Sequence, residues 1–275
     1  MCTGREEAAS MESTSTEHAC VGHTSCHAPK VCPPAEHVCA CQKLLPWRFL
    51  HVLLGLTLTA FLLVHLSISV AAYRPEQYQS LVDRVHQCLD AFPWLFTPAL
   101  VFILAIQFVT GGYLLFHHGL RYQVRGCNRG GKLRFFLQRI SALLVGFFLL
   151  FHVGTLCSWG LHAIYGFTHL PLLHRYAEQG LFDPSQAFLS TTHGLQQAWS
   201  TGVPQSFGNR IGLMLILLGL LAAVYHVTNG MLSGGYVLKI SKDPKRKVLW
   251  TALSLSIGAV VLALGVAAWC VFAFA

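Results

Sequence analysis

Charge is what this 275-residue sequence has least of: Asp, Glu, Lys and Arg together make up 11% of it, against 54% hydrophobic residues. A soluble domain needs more polar surface than that to face water, so the composition excludes an ordinary soluble fold and points to an integral membrane protein. Period-two alternation of apolar and polar residues is missing, which leaves no β reading. No charged start runs directly into an apolar stretch with a cleavage site, so no secretory signal is read at the N-terminus. A nucleotide-binding fingerprint and a ferredoxin-like cysteine cluster are also absent, which excludes a self-contained flavin or iron–sulfur enzyme.

What is there is apolar and long. Five segments, about 49–70, 95–117, 140–163, 209–233 and 249–274, each reach the roughly 20 residues that cross a bilayer as helix. With no water to satisfy the backbone they are expected to be helical, giving an all-α membrane protein of five transmembrane helices. Basic residues set the expected orientation, since loops rich in Lys and Arg stay on the cytoplasmic side. Arg121, Arg125, Arg129, Lys132, Arg134 and Arg139 lie between segments two and three, and Lys239, Lys242, Lys245, Arg246 and Lys247 between four and five. The other connections hold Arg74 and Arg84, and Arg175. The N-terminus is therefore expected inside and the C-terminus outside. The formal charge of +8 follows from this topology, so it does not call for nucleic acid; anionic membrane lipid or a cytoplasmic partner is the expected counterpart.

Residues 1–45 are a different material, a polar tail with Cys2, Cys20, Cys26, Cys32, Cys39 and Cys41 and with His18, His23, His27 and His37. On the cytoplasmic side these thiols stay reduced, which argues against a disulfide framework. Two readings stand: a disordered tail, or a zinc or copper(I) site built on the soft and borderline ligands, although the spacings match no paired CxxC arrangement. Cys88, Cys127, Cys157 and Cys270 are scattered singly and read as incidental thiols. The chain thus divides at 45/46 into this tail and a transmembrane domain over 46–275.

Three histidines fall inside the apolar segments: His65 in V-H-L-S-I-S, His152 in F-H-V-G-T-L and His226 in Y-H-V-T-N-G-M. An ionisable side chain at membrane depth is costly and marks a functional site by default. His65 lies nine residues before Arg74 and His152 thirteen after Arg139, so both fall in the middle to outer part of the membrane on outward-running helices. His226, on an inward-running helix, lies deeper toward the cytoplasm, and Gln107 occupies a comparable level on the other inward-running helix. An outer and an inner pair result. Two imidazoles from different helices are a natural way to hold a haem from both faces. Gly55, Gly111, Gly112, Gly146, Gly154, Gly212, Gly219 and Gly230 recur on the four helices, where small side chains permit close packing or leave room for a flat macrocycle. The plainer reading is that the glycines only pack helices and that the histidines bond carbonyls or line a water path.

Five stretches carry a likeness: R-F-L-H-V-L-L-G from Arg48 to Gly55, V-H-L from Val64 to Leu66, L-Q-R-I-S from Leu137 to Ser141, F-H-V from Phe151 to Val153, and Y-H-V-T-N-G-M from Tyr225 to Met231. With them the chain, over about 48–274, resembles the five-helix, di-haem cytochrome b membrane-anchor subunit of succinate:quinone oxidoreductases and quinol:fumarate reductases. The resemblance implies that His65 and His152 are the axial ligands of the outer haem b, and that His226 is one ligand of an inner haem. In that family the inner partner is a second-helix histidine followed by glycine four residues on; here Gln107 precedes Gly111. Three readings of the inner site follow: a haem held by His226 alone or weakly with Gln107, no haem, or a cavity reused for quinone. His117 and His118 lie ten or eleven residues farther on, about 15 Å along the helix, and read as interface residues.

The likeness further implies an anchor and electron wire in a bacterial cytoplasmic membrane, non-catalytic for succinate by itself. A separate flavoprotein would oxidise the dicarboxylate, a separate iron–sulfur subunit would pass the electrons on, and a membrane quinone would receive them. Arg48, His51 and Arg139, near the inner surface, are read either as cations for haem propionates or as interface anchors. Glu76 and its loop are the candidates for a quinone site near the outer haem. The third connection, with His169, His174 and His193, either caps the outer face or forms an exposed loop. Two rivals remain: a haem-free anchor of the same complex, and a metal-handling transporter. The latter predicts acidic residues in the spans or an inverted repeat, neither of which is clear in helices one to four.

Overall fold

Backbone groups in a long apolar run have no solvent to bond, so each run closes its hydrogen bonds internally as helix. The computed structural model describes residues 45–92, 96–118, 129–156, 162–163, 166, 182–196 and 207–274. Among the described residues the α-helices are, in order, α1 (Leu45–Val70), α2 (Pro75–Ala91), α3 (Phe96–His118), α4 (Arg129–Leu156), α5 (Ala187–Gln196), α6 (Phe207–Val237) and α7 (Pro244–Phe274). No strand occurs among the described residues. Among the described residues five stretches are long and apolar enough to cross a membrane: Pro46–Tyr73, Pro98–His117, Leu133–Thr155, Asn209–Val237 and Pro244–Phe274. The protein is an all-α integral membrane protein. Helix starts carry ordinary signals: Pro75 and Pro244 open α2 and α7, and Asp243 accepts from the Lys245 amide at 2.9 Å.

The third span departs from the expected bounds. It was expected over 140–163, with Arg134 and Arg139 in a loop, but α4 is already helical at Arg129 and its apolar stretch is Leu133–Thr155. Leu133, Phe135, Phe136 and Leu137 extend the apolar face, and the two cations have partners within the bundle. Arg134 donates from Nε to the Asn229 amide oxygen, and the Arg139 guanidinium lies 4.1 Å from the centroid of the Phe135 ring. A sequence count of basic residues treats both as loop; their hydrogen-bonding and π partners keep them in the helix.

The five long helices run alternately up and down. At one end, α1 begins with Arg48, α4 with its arginines and α7 with Lys245, Arg246 and Lys247; this is the basic end. The Trp250 indole there donates to the Met231 carbonyl at 2.7 Å. At the other end the Trp269 indole donates to the Leu213 carbonyl at 3.0 Å. Helix α7 lies on α6 and α1 with Ser254, Gly258, Val261, Gly265, Ala268 and Phe272 buried, steps of four and three that keep one seam facing inward. Gly258 meets the Thr228 side chain and Gly265 the Leu220 side chain so closely that neither has room for a Cβ. Helix α4 packs on α6, and α3 on α1, whereas α3 and α4 touch each other at few places. The interval among α1, α3, α4 and α6 is where the buried polar side chains gather. Outward faces stay apolar, as with Phe102, Phe147 and Leu150.

The end opposite the basic one is capped. Tyr78 and Val82 of α2 pack with Ala72, Ala187 and Phe272. Gln79 ties the cap together: its Oε1 accepts from the Ala187 amide at 2.9 Å and its Nε2 donates to the Pro184 carbonyl at 2.7 Å. Gln196 donates to the Phe272 carbonyl at 2.9 Å. Of the two readings of the third connection, residues 182–196 fit the cap, and His193 is exposed on it. Burial raises the Tyr78 phenol above its usual range, opposed by the Thr191 side chain.

Candidate functional site with paired imidazoles

Within the spans, polar residues recur three apart: Gln107 with Thr110, Gln138 with Ser141, His226 with Asn229. That spacing puts each pair on one face of its helix. A polar residue facing lipid is unfavourable, so such faces turn inward toward one another.

On the capped side, His65 of α1 and His152 of α4 meet as expected, with ring centroids 6.2 Å apart and planes at 75°. Each imidazole is stacked on a phenylalanine one turn earlier in its own helix. Phe61 lies 5.8 Å from His65 at 15° and Phe148 lies 5.4 Å from His152 at 18°. Phe148 owes its place to α6, where Gly219 leaves the space its ring fills. A packing contact thus runs from Gly219 through Phe148 to His152. His65 keeps an exposed face and His152 is half-buried, so the rings present surface that a flat ligand would cover.

On the basic side the imidazole is held by hydrogen bonds. His226 Nδ1 lies 3.3 Å from the Gln138 carbonyl, 3.2 Å from the Gln138 amide nitrogen and 3.4 Å from Ser141 Oγ. Asn229 donates to Gln138 Oε1 at 2.6 Å, and that fixes which end of the amide faces His226. The His-x-x-Asn element is therefore one device: Asn229 orients Gln138, and Gln138 holds His226. Gln138, Ser141, Asn229 and Arg134 were quoted in motifs or loops without a role; three-residue polar spacing is the signal that finds the first three, and nothing in that spacing marks Arg134.

Gln107, expected across from His226, is bonded elsewhere: its Nε2 lies 3.4 Å from His51 Nε2, while its Oε1 is buried with no hydrogen-bond partner. His51, expected at the membrane surface with Arg48 and Arg139, instead enters this inner group. Its Nδ1 is 3.0 Å from Thr110 Oγ1. Gly111 leaves the room its ring needs, since a Cβ there would come 3.2 Å from His51 Cε1. Arg139 is buried and close enough to Arg48 for the two like charges to interact. An anion between them would be favoured.

Glu76 is exposed in the first turn of α2, and no described hydrogen bond or ring contact joins it to an imidazole. His117 is exposed and packs on Tyr113 at 4.2 Å, which in turn packs on Trp47 at 5.1 Å, an aromatic cluster of the kind found at membrane interfaces. Cys88 and Cys270 are free thiols. The tail cysteines and histidines, Arg121, Arg125, Cys127, Cys157, His169, His174 and Arg175 lie outside the described residues. Among the described residues no three His, Cys, Asp or Glu side chains converge as a metal-ion site, so the imidazoles come in twos. No family model, curated protein or solved structure matches this chain.

Proposed function

We propose that this chain is the haem b-carrying membrane anchor of a succinate:quinone oxidoreductase or quinol:fumarate reductase, passing electrons between an iron–sulfur partner and a membrane quinone. The observation that carries the reading is the meeting of His65 and His152 from two helices inside apolar spans. A centroid separation of 6.2 Å leaves room for one metal centre between the rings when each metal–nitrogen bond is about 2 Å. A bound haem would supply a one-electron carrier whose potential depends on its axial ligands and burial. The chain's own residues do the rest. His65 and His152 would be the ligands, and Phe61 and Phe148 stack on their rings. Arg48 and Arg139 are the cations suited to carboxylates at the basic end.

The absence of any Asp or Glu from the five spans favours a cofactor site over an ion path. The basic end is the face for the soluble flavoprotein and iron–sulfur partners, and the cytoplasm is the side that its charge selects. A bacterial cytoplasmic membrane is the corresponding location.

The test is a reduced-minus-oxidised optical spectrum with haem quantification on the purified full-length chain. A b-type signal that falls by one haem per chain in His65→Ala and in His152→Ala is the expected result. Absence of any haem defeats the cytochrome reading, and co-purification without flavoprotein and iron–sulfur partners defeats the complex.

A further inference from the structure

We propose that the turn from α6 to α7, with Lys239, Lys242, Lys245, Arg246 and Lys247, is a docking surface for an anionic phospholipid, whose headgroup the cations hold and whose acyl chains lie on Val248 and Leu249. The inference goes beyond the cytochrome reading and does not depend on a haem. Its basis is a group of charges kept where the fold gains little from them, beside apolar side chains that face lipid.

Helix α6 closes with the Leu238 amide donating to the Gly234 carbonyl at 2.8 Å and the Lys239 amide to the Tyr236 carbonyl at 3.2 Å. Lys239 itself takes φ 59° and ψ 14°, the left-handed conformation that a helix end ordinarily gives to glycine. Among the described residues no other non-glycine residue has a positive φ. Glycine would relieve this backbone and lose only the charge. Lys245, Arg246 and Lys247 then stand in the first turn of α7, where the helix dipole already presents positive charge. Asp243 is the one carboxylate of the turn: it accepts from the Lys245 amide at 2.9 Å and lies 3.5 Å from Arg246 Nε. All five cations are exposed, and among the described residues none of the four lysines has an ion pair. The surplus positive charge calls for an anion from outside the chain.

The neighbours of these cations select which anion. Val248 and Leu249, next in α7, are 71% and 70% exposed, and Tyr236, in the last turn of α6, is 64% exposed. Val248 and Leu249 belong to the span Pro244–Phe274, so their open faces meet acyl chains. Spacings of three and four put Lys245 on the same helix face as both, about 5 Å nearer the water. A phospholipid presents phosphate and chains in that same order. The Trp250 indole, bonded to the Met231 carbonyl, and exposed Tyr236 mark this level as the interface, where amphipathic rings gather. An acidic patch on a soluble protein would neutralise the lysines and leave Val248 and Leu249 to be covered separately, whereas an anionic lipid does both. Arg134 and Arg139, at the same end, are engaged by Asn229 and Phe135 and stand apart from this surface.

Native mass spectrometry of the detergent-purified full-length chain, titrated with phosphatidylglycerol or phosphatidylcholine, reads the bound lipid, and thermal melts read the fold. Wild type is expected to retain phosphatidylglycerol over phosphatidylcholine. Lys242→Gln and Lys245→Gln are each expected to weaken that retention about five-fold, the usual worth of one cation at an anionic surface. Arg84→Gln, the same charge change on the exposed face of α2 at the other end, is expected to leave it unchanged. Lys239→Gly is expected to weaken retention while the melting temperature holds or rises, a pairing that a purely structural role would not give. The double variant Val248→Ser, Leu249→Ser keeps every charge and is expected to weaken retention as well. Equal retention of the two lipids by wild type overturns the inference, as does wild-type retention in the lysine variants or in the double serine variant. Retention that falls only in step with the melting temperature overturns it too. Should the lysine variants keep the lipid and lose co-purifying soluble partners, the surface is a protein docking face and the lipid reading fails. Haem content plays no part in these readouts, so failure of the cytochrome reading is detected separately.

Discussion

The two imidazole sites are built by different means. On the capped side, His65 and His152 are flanked by Phe61 and Phe148, and no described side-chain hydrogen bond reaches either ring. On the basic side His51 Nδ1 is bonded to Thr110, and His226 Nδ1 lies against Gln138 and Ser141 in a second group of bonds that continues to Asn229 and Arg134. Stacking fixes a ring plane and leaves both nitrogens open, whereas a hydrogen bond to Nδ1 also selects the tautomer. The capped site depends on shape, the basic site on proton placement. Substitutions that alter volume should damage the first, and those that remove a polar atom the second.

The sharpest break is at the ligands. His65→Ala and His152→Ala should each abolish one haem completely and leave any haem that depends on His226, as haem-to-protein ratios will show; a shared loss of both would mean the sites are not independent. Next in size is Gly219→Val, which drives a side chain into the Phe148 ring. Overpacking of this kind costs about 1–3 kcal/mol, and thermal melts with haem titration should show it together with weaker binding at His152. The basic site should be less affected.

Asn229→Ala tests the other half of the comparison. It removes the bond that orients Gln138 and leaves a buried amide oxygen unpaired, a loss of about 1–3 kcal/mol. Metal affinity at His226 should fall about 10–100-fold, as for other groups that orient a ligand, with the capped-site spectrum unchanged. The smallest effect concerns the cap itself. Because burial raises the Tyr78 phenol above its unfolded value of 10.0, the folded cap holds that proton more tightly than the unfolded chain. Its contribution is complete below pH 10 and declines as pH rises past it. Tyr78→Phe should remove this alkaline loss, measurable as protease susceptibility of residues 75–91 against pH.

Much of this was legible in sequence, for identifiable reasons. Length and hydropathy locate a span because lipid penalises every unbonded backbone group. The pairing of His65 with His152 follows from depth, since both come late on helices that run the same way. Depth also put Gln107 level with His226, but level is not adjacency. The rotation of α1 brings His51 against Gln107 and Thr110, and periodicity in a helix apolar on nearly every face carries little information about rotation. Arg134 and Arg139 were assigned to a loop because a count of basic residues does not show their partners: Asn229 of α6 for Arg134, visible only when the helices are assembled, and Phe135 one turn earlier in α4 for Arg139. The short helices α2 and α5 escaped the span search because their burial comes from Tyr78, Val82 and Ala187 packing on Phe272.

The sequence alone determined that the chain folds in lipid as five long helices, because twenty apolar residues with unsatisfied amides have no other stable form there. It also named the three histidines that such an environment would not hold without cause. Tertiary structure decided which atoms face one another: which nitrogen of His226 meets Gln138, why Asn229 follows it by three, and that His51 meets Thr110 and Gln107. Those outcomes depend on the rotation of each helix about its axis, set by glycine contacts and buried polar bonds between residues far apart in the chain.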